Sequence, residues 1–142
     1  MYTRLKEIQD EEGKKIILLY LGDFDPAGDV MDETIVDYLD RFSRRYGELD
    51  YEFERVAILA EHETAFGVML PSKPDAKVFK KDERGNYIDT NVARFENRYG
   101  VIKQIELDAL TSKHMLPHFK KLLIHAVDKW YDSDIGRKTK TR

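Results

Sequence analysis

Asp23 and Asp25 flank Phe24 directly after the apolar run Ile16 to Leu21, so two carboxylates stand where a buried strand ends. Residues i and i+2 of an extended chain point to the same side. Two acids this close repel unless a cation or a proton joins them, and an all-oxygen site of this kind suits Mg²⁺ or Mn²⁺. Pro26 and Gly28 turn the backbone sharply and can start a helix at Asp29. A purely local reading competes, in which Asp23 caps the turn and Asp25 initiates the helix.

The elements that position this turn follow from periodicity. Residues 3–12 read as a short, highly charged helical lead-in, and Gly13 separates it from a strand over Lys15 to Leu21. Met31, Ile35, Tyr38, Leu39 and Phe42 recur at helical spacing, which predicts an amphipathic helix from about Asp29 to Tyr46, ended by Gly47. A second strand is expected over Arg55 to Ala60. Leu49, Tyr51 and Phe53 alternate with acids before it, so that loop is itself partly extended. The intervening helix supplies a crossover, which makes the two strands parallel.

Glu61 to Asp89 carries Pro71, Pro74, Gly85 and lysines at 77, 80 and 81, and reads as a long loop region. A helix over Thr90 to Tyr99, stopped by Gly100, precedes a third strand over Val101 to Leu107. The last helix, about Ser112 to Asp132, places Met115, Phe119, Leu122, Leu123, Ala126, Val127 and Trp130 on one wide stripe that should pack on the sheet. Strands alternating with helices predict an α/β sandwich with a mainly parallel sheet.

In open parallel sheets, ligands gather beyond the carboxyl ends of the strands. All three expected strands end there in acids: Asp23 and Asp25, Glu61 and Glu63, Glu106 and Asp108. Their convergence is the stronger signal. His62 is a candidate general base, although a loop histidine between two acids is ordinarily a solvated surface residue. Glu106 and Asp108 face the same way on an extended chain, and strand-end acids also serve as caps for a following helix. His114, His118 and His125 share roughly one face of the last helix. The glutamate that a hydrolytic zinc motif needs after its first histidine is replaced by Met115, which favours plain helix surface. Phosphate-loop, dinucleotide-fingerprint and nucleophile-elbow glycine patterns are missing, and with them those enzyme classes.

The 142 residues, 42% of them hydrophobic, suffice for one domain with a real core. No apolar run reaches bilayer-spanning length, and the start of the chain, with Arg4, Lys6 and Glu7, has no apolar signal region. A cytoplasmic protein is expected. The absence of cysteine excludes disulfides, thiolate metal sites and cysteine nucleophiles, so any metal must be bound by oxygen or histidine. The formal charge of −3 is uneven, because residues 134–142 end in Arg137, Lys138, Lys140 and Arg142. A short basic tail of this sort can touch phosphates and is equally common where no nucleic acid is bound.

The strand followed by Gly22-Asp23-Phe24-Asp25-Pro26-Ala27-Gly28 resembles the Asp-x-Asp motif of Toprim domains, closest to the topoisomerase VI A subunit and the related meiotic double-strand-break protein. Asp89-Thr90 to Tyr99-Gly100 and Glu106-Leu107-Asp108-Ala109-Leu110 resemble segments of uncharacterised Toprim-like proteins of microbial and phage origin. The likeness covers about residues 15–130. It implies a Rossmann-like three-layer sandwich, with residues 15–133 as the domain, 1–14 as lead-in and 134–142 as tail. It further implies Mg²⁺ (or Mn²⁺) on Asp23 and Asp25 and phosphodiester chemistry on nucleic acid, DNA foremost; among the strand-end acids, Asp108 is a further candidate ligand. Glu61, Glu106 and His62 are the candidate bases. The family's metal-binding glutamate stands on an earlier strand, and residues 1–14 offer no apolar strand to carry it. Either the chain is the C-terminal part of a longer DNA-processing protein and lacks the first strand, or Glu61 or Glu106 completes the site. A sheet edge left bare by the missing strand would favour a homodimer. The winged-helix tyrosine of the topoisomerase relatives has no counterpart here, which argues against autonomous covalent strand cleavage.

Two rivals share these residues. One is a Toprim-like binding or scaffold module without catalysis; the other is a receiver-like phosphate-handling domain, disfavoured because no lysine follows the third expected strand at the position such chemistry wants.

Overall fold

A computed structural model of the chain describes residues 1–63, 79–100 and 104–131. Its order is α1 (Tyr2–Glu12), β1 (Ile16–Leu21), α2 (Pro26–Asp29), α3 (Met31–Tyr46), β2 (Tyr51–Ala57), a 3₁₀ turn (Ala60–Glu63), α4 (Thr90–Tyr99), a second 3₁₀ turn (Leu107–Leu110) and α5 (Leu116–Tyr131). The fold is mixed α/β. The basic tail, the prolines at 71 and 74, Lys77, residues 101–103 of the expected third strand and the Glu63 side chain lie outside the described residues.

Helix α1 stops where Gly13 adopts φ 62°, a left-handed conformation that costs a glycine little. Helix α3 carries Asp32 and Glu33 in its first turn and Arg44 and Arg45 in its last, matching its dipole at both ends. Its apolar face sinks Leu39 completely into a cluster with Tyr2 and Leu49, on which Ile16, Leu18, Ile35 and Phe42 also pack.

Strands β1 and β2 pair in parallel with Ile16 opposite Tyr51, Leu18 opposite Phe53 and Tyr20 opposite Arg55. The register shifts between Tyr20 and Leu21, which puts Leu21 opposite Ala57 and leaves Val56 as the extra residue of a bulge. Alternation sends Tyr51 and Arg55 of β2 toward α3, where the Tyr51 hydroxyl donates to Asp40 Oδ1 at 2.8 Å and Arg55 meets Asp32. Burial and the Asp40 carboxylate push the Tyr51 phenol up to about 12. Glu54, of the opposite parity, meets Lys129 and Trp130 of α5. Helices therefore lie on both faces of the sheet.

Three expectations change. The second strand begins at Tyr51 rather than Arg55 and ends at Ala57, because the Leu49 to Phe53 alternation belongs to the strand itself. Among the described residues 104–107 of the expected third strand, Ile105 forms an isolated antiparallel bridge with Phe24, and the chain curls at Leu107 into a 3₁₀ turn that buries Leu110. The sheet thus has two strands among the described residues. The last helix begins at Leu116, after a turn that includes Met115, and Val127 on its expected inner stripe is 53% exposed. A second cluster, Phe24, Ala57, Ile58, Phe95, Ile105, Leu110 and Met115, fills the space between the carboxyl ends of the strands, α4 and α5. Among the described residues no helix is long and apolar enough to cross a membrane.

Candidate functional site

The Asp-x-Asp segment continues β1 past its last regular residue. Gly22 still pairs in parallel fashion, its N–H donating to the Ala57 carbonyl and its own carbonyl accepting from Ile58, both at 2.8 Å. Phe24 then exchanges two hydrogen bonds with Ile105, at 2.8 and 2.9 Å. The Phe24 ring is 3% exposed, tilted against Phe95 and edge-to-face with Tyr99. With Phe24 turned into the core, alternation turns Asp23 and Asp25 the other way.

Both carboxylates are engaged by the backbone. Asp25, itself extended, caps α2 by accepting from Gly28 N–H at 2.5 Å, with Pro26 as the first helical residue. Asp23 Oδ1 accepts from Leu107 N–H at 2.6 Å. That bond and the Phe24–Ile105 bridge bring the segment carrying Glu106 beside the turn. Gly28 is dictated by space, since a Cβ there would press into the Asp23 carbonyl oxygen.

Arg55, only 10% exposed, is the centre of the arrangement. Its Nε donates to the Ile58 carbonyl (3.0 Å), Nη1 to the Gly28 carbonyl (3.0 Å) and Asp32 Oδ1 (2.7 Å), and Nη2 to the carbonyls of Gly22 (3.3 Å) and Asp23 (2.5 Å). All five N–H donors of the guanidinium are thereby used. The Tyr20 ring covers it, with Cζ 5.3 Å from the ring centroid. The sequence reading passed over this residue. Its signal was available: an arginine in step with Tyr51 and Phe53 along a strand must face inward and needs acceptors there.

Beside the turn opens a cleft of about 440 Å³, lined by Asp29, Asp32, Glu33, Glu61, Arg55 and Arg98 together with the aromatic Phe24 and Tyr99. Asp29 accepts from the Tyr99 hydroxyl at 2.8 Å and from Arg98 at 3.1 Å, tying α2 to α4. Burial, then the Asp29 carboxylate, raise the Tyr99 phenol above its ordinary range. Glu33 pairs with Arg94.

The expected acids are therefore distributed unequally. Asp23 and Asp25 share one face of the turn, with Glu106 on the segment bonded to it. Glu61 lies exposed on the cleft, while Asp108 sits exposed in the 3₁₀ turn, where its backbone carbonyl is bonded by Thr111. His62 is corrected from solvated to buried: it is 4% exposed, and its Nδ1 accepts from Leu59 N–H at 3.0 Å. That bond puts the proton on Nε2 in the neutral ring, and burial pulls the imidazole below its ordinary value, opposed by Glu61. His125 is exposed on the last helix, as plain helix surface would be, while His114, also exposed, lies in the turn before that helix rather than on its face.

Whether the residues suit Mg²⁺ turns on the donor set. Among the described residues no group of three or more His, Asp or Glu side chains is gathered as a ligand cage. Mg²⁺ does not demand one, since it is commonly bound through one or two carboxylates, waters and substrate phosphates. A carboxylate with one backbone N–H bond keeps further lone pairs, so the bonds to Leu107 and Gly28 leave Asp23 and Asp25 oxygens that could meet a cation. No family model matches the chain, and neither a curated protein nor a solved structure is significantly similar to it.

Proposed function

We propose that the chain is a Toprim-like domain, with the layer order of a Rossmann-like sandwich, that binds Mg²⁺ or Mn²⁺ through Asp23 and Asp25 and acts on the phosphodiesters of nucleic acid, DNA foremost, in the cytoplasm. The observation that supports this reading is the placement of the two carboxylates: both lie at the carboxyl end of a parallel strand, turned to the side opposite the buried Phe24 ring, with the Glu106 segment bonded alongside. When bound, the cation would offset charge on a scissile phosphate and lower the pKa of a coordinated water. The chain's own contribution is positional. Asp23 and Asp25 supply the anionic oxygens, and Glu106, exposed beside them, is the candidate to take a proton from an attacking water. Glu61 is reached from the neighbouring cleft, and His62, buried with Nδ1 bonded to the backbone, serves the local fold. Asp108, exposed on the adjacent turn, is an outlying ligand candidate.

A second reading, a binding or scaffold module without catalysis, has its own observation: each aspartate already carries a structural hydrogen bond, and no third ligand closes on them among the described residues. Calorimetric titration of Mg²⁺ and Mn²⁺ into the wild type and an Asp23→Asn, Asp25→Asn variant separates the two. Asparagine retains an acceptor for the Gly28 and Leu107 amides but loses the charge. Binding to the wild type that vanishes in the variant, with metal-dependent nicking of DNA, is the expected result. A wild type that binds no cation leaves the scaffold reading, and steeply salt-dependent DNA binding would then mark it as a nucleic-acid tether.

A further inference from the structure

We infer that Arg55 is the positioning residue of the Asp-x-Asp site: it sets where the Asp23 and Asp25 carboxylates stand without lending them its own charge. This deepens the proposed function and rests on it only for the role of the carboxylates. Four of the five acceptors around the guanidinium are backbone carbonyls, and three of these, Gly22, Asp23 and Gly28, belong to the turn itself. Gly22 and Asp23 begin the turn and Gly28 closes it. A rigid planar fork that bonds both ends fixes the span between them, and Asp25 lies within that span. The fourth carbonyl, Ile58, follows β2, so the same group also ties the turn to the neighbouring strand.

The fifth acceptor explains the choice of charge. A bare guanidinium so near two metal-binding carboxylates would compete with the cation. Asp32 Oδ1, at 2.7 Å, gives Arg55 a counter-ion of its own. The side chain can then act through geometry, with its cationic field largely compensated. Lysine cannot replace it, because three donors radiating from one nitrogen do not span five acceptors in a plane.

The test uses readouts that do not depend on activity. The amides of Leu107 and Gly28 donate to the Asp23 and Asp25 carboxylates and so report where those carboxylates stand. In Arg55→Lys, hydrogen exchange at both amides should accelerate by about tenfold, as expected when a buried hydrogen bond is lost, while amides in the middle of α3 keep wild-type protection. Unchanged protection of the two amides in folded Arg55→Lys overturns the inference. Should that variant fail to fold, Asp32→Ala, which removes one anchor at a partly exposed position, carries the test: faster exchange at Gly28 supports the inference and wild-type exchange overturns it. Mg²⁺ titration adds a separate arm. A wild type that binds while Arg55→Lys binds at least tenfold more weakly supports positioning, and equal binding by both overturns it. A wild type that binds no Mg²⁺ counts against the proposed function, and the amide exchange still decides the role of Arg55.

Discussion

Asp23 and Asp25 differ in what secures them: Asp23 is bonded to a segment more than eighty positions away, at Leu107, whereas Asp25 is bonded within its own turn, at Gly28. The local half was legible in the sequence, because Asp-Pro-x-Gly is a capped helix start whatever surrounds it. The distant half was not, since no spacing rule relates position 23 to position 107. His62 shows the same limit from the other side. Two flanking acids suggested solvent, yet the 3₁₀ turn rolls the imidazole inward onto Leu59 N–H. Its buried ring favours the neutral form, so its folded value lies below the ordinary 6.5. Above that value both folded and unfolded chains hold it neutral, and its contribution to stability is fully present. As the pH falls below 6.5 the unfolded chain takes up a proton that the folded ring resists, and stability declines toward the folded value. Urea denaturation across pH 5 to 7.5 should show this decline in the wild type and a flatter profile in His62→Gln; parallel profiles would contradict it.

At the level of elements, α3 was readable from apolar spacing and its terminal glycine, α1 and α4 from the glycines that end them, and β1 from its unbroken apolar run. Strand β2 was placed late because Glu52 and Glu54 between its aromatics imitate a polar loop. Glu54 is in fact an anchor: Lys129 Nζ donates to one of its oxygens at 2.8 Å and Trp130 Nε1 to the other at 2.5 Å. Burial alone would push its carboxyl up, but these bonds and the Lys129 charge outweigh burial and leave it below the ordinary value. Trp130→Phe keeps an aromatic ring, smaller than the indole, and removes the bond to Glu54, so it should cost about 1 kcal/mol or somewhat more in urea denaturation and leave Mg²⁺ binding unchanged. A neutral effect would mean that the indole contact adds nothing to the docking of α5. Within the expected third strand, the described residues 104–107 pair only at Ile105, which exchanges backbone bonds with Phe24, and the chain turns away at Leu107, whose N–H bonds Asp23.

For the molecule as a whole, the coarse α/β class followed from the alternation of strand and helix, while the reach of the sheet did not, because strand pairing depends on partners distant in the chain. A cation that binds only the folded state stabilises it by mass action, by about 2.7 kcal/mol at a hundredfold excess over Kd. The melting temperature should therefore rise with Mg²⁺ in the wild type and stay constant in the Asp23→Asn, Asp25→Asn variant. A rise of equal size in both would place the cation elsewhere. One feature gives such a shift a wider meaning. Strand β1 packs Ile16 and Leu18 on the cluster around Leu39, and Leu21 on the cluster around Phe95. It is a beam common to two cores, so melting either core would remove part of its support, which favours melting of the two together. A cation held at the acidic tip of that beam would thus be felt at α1, at its opposite end, without touching that helix.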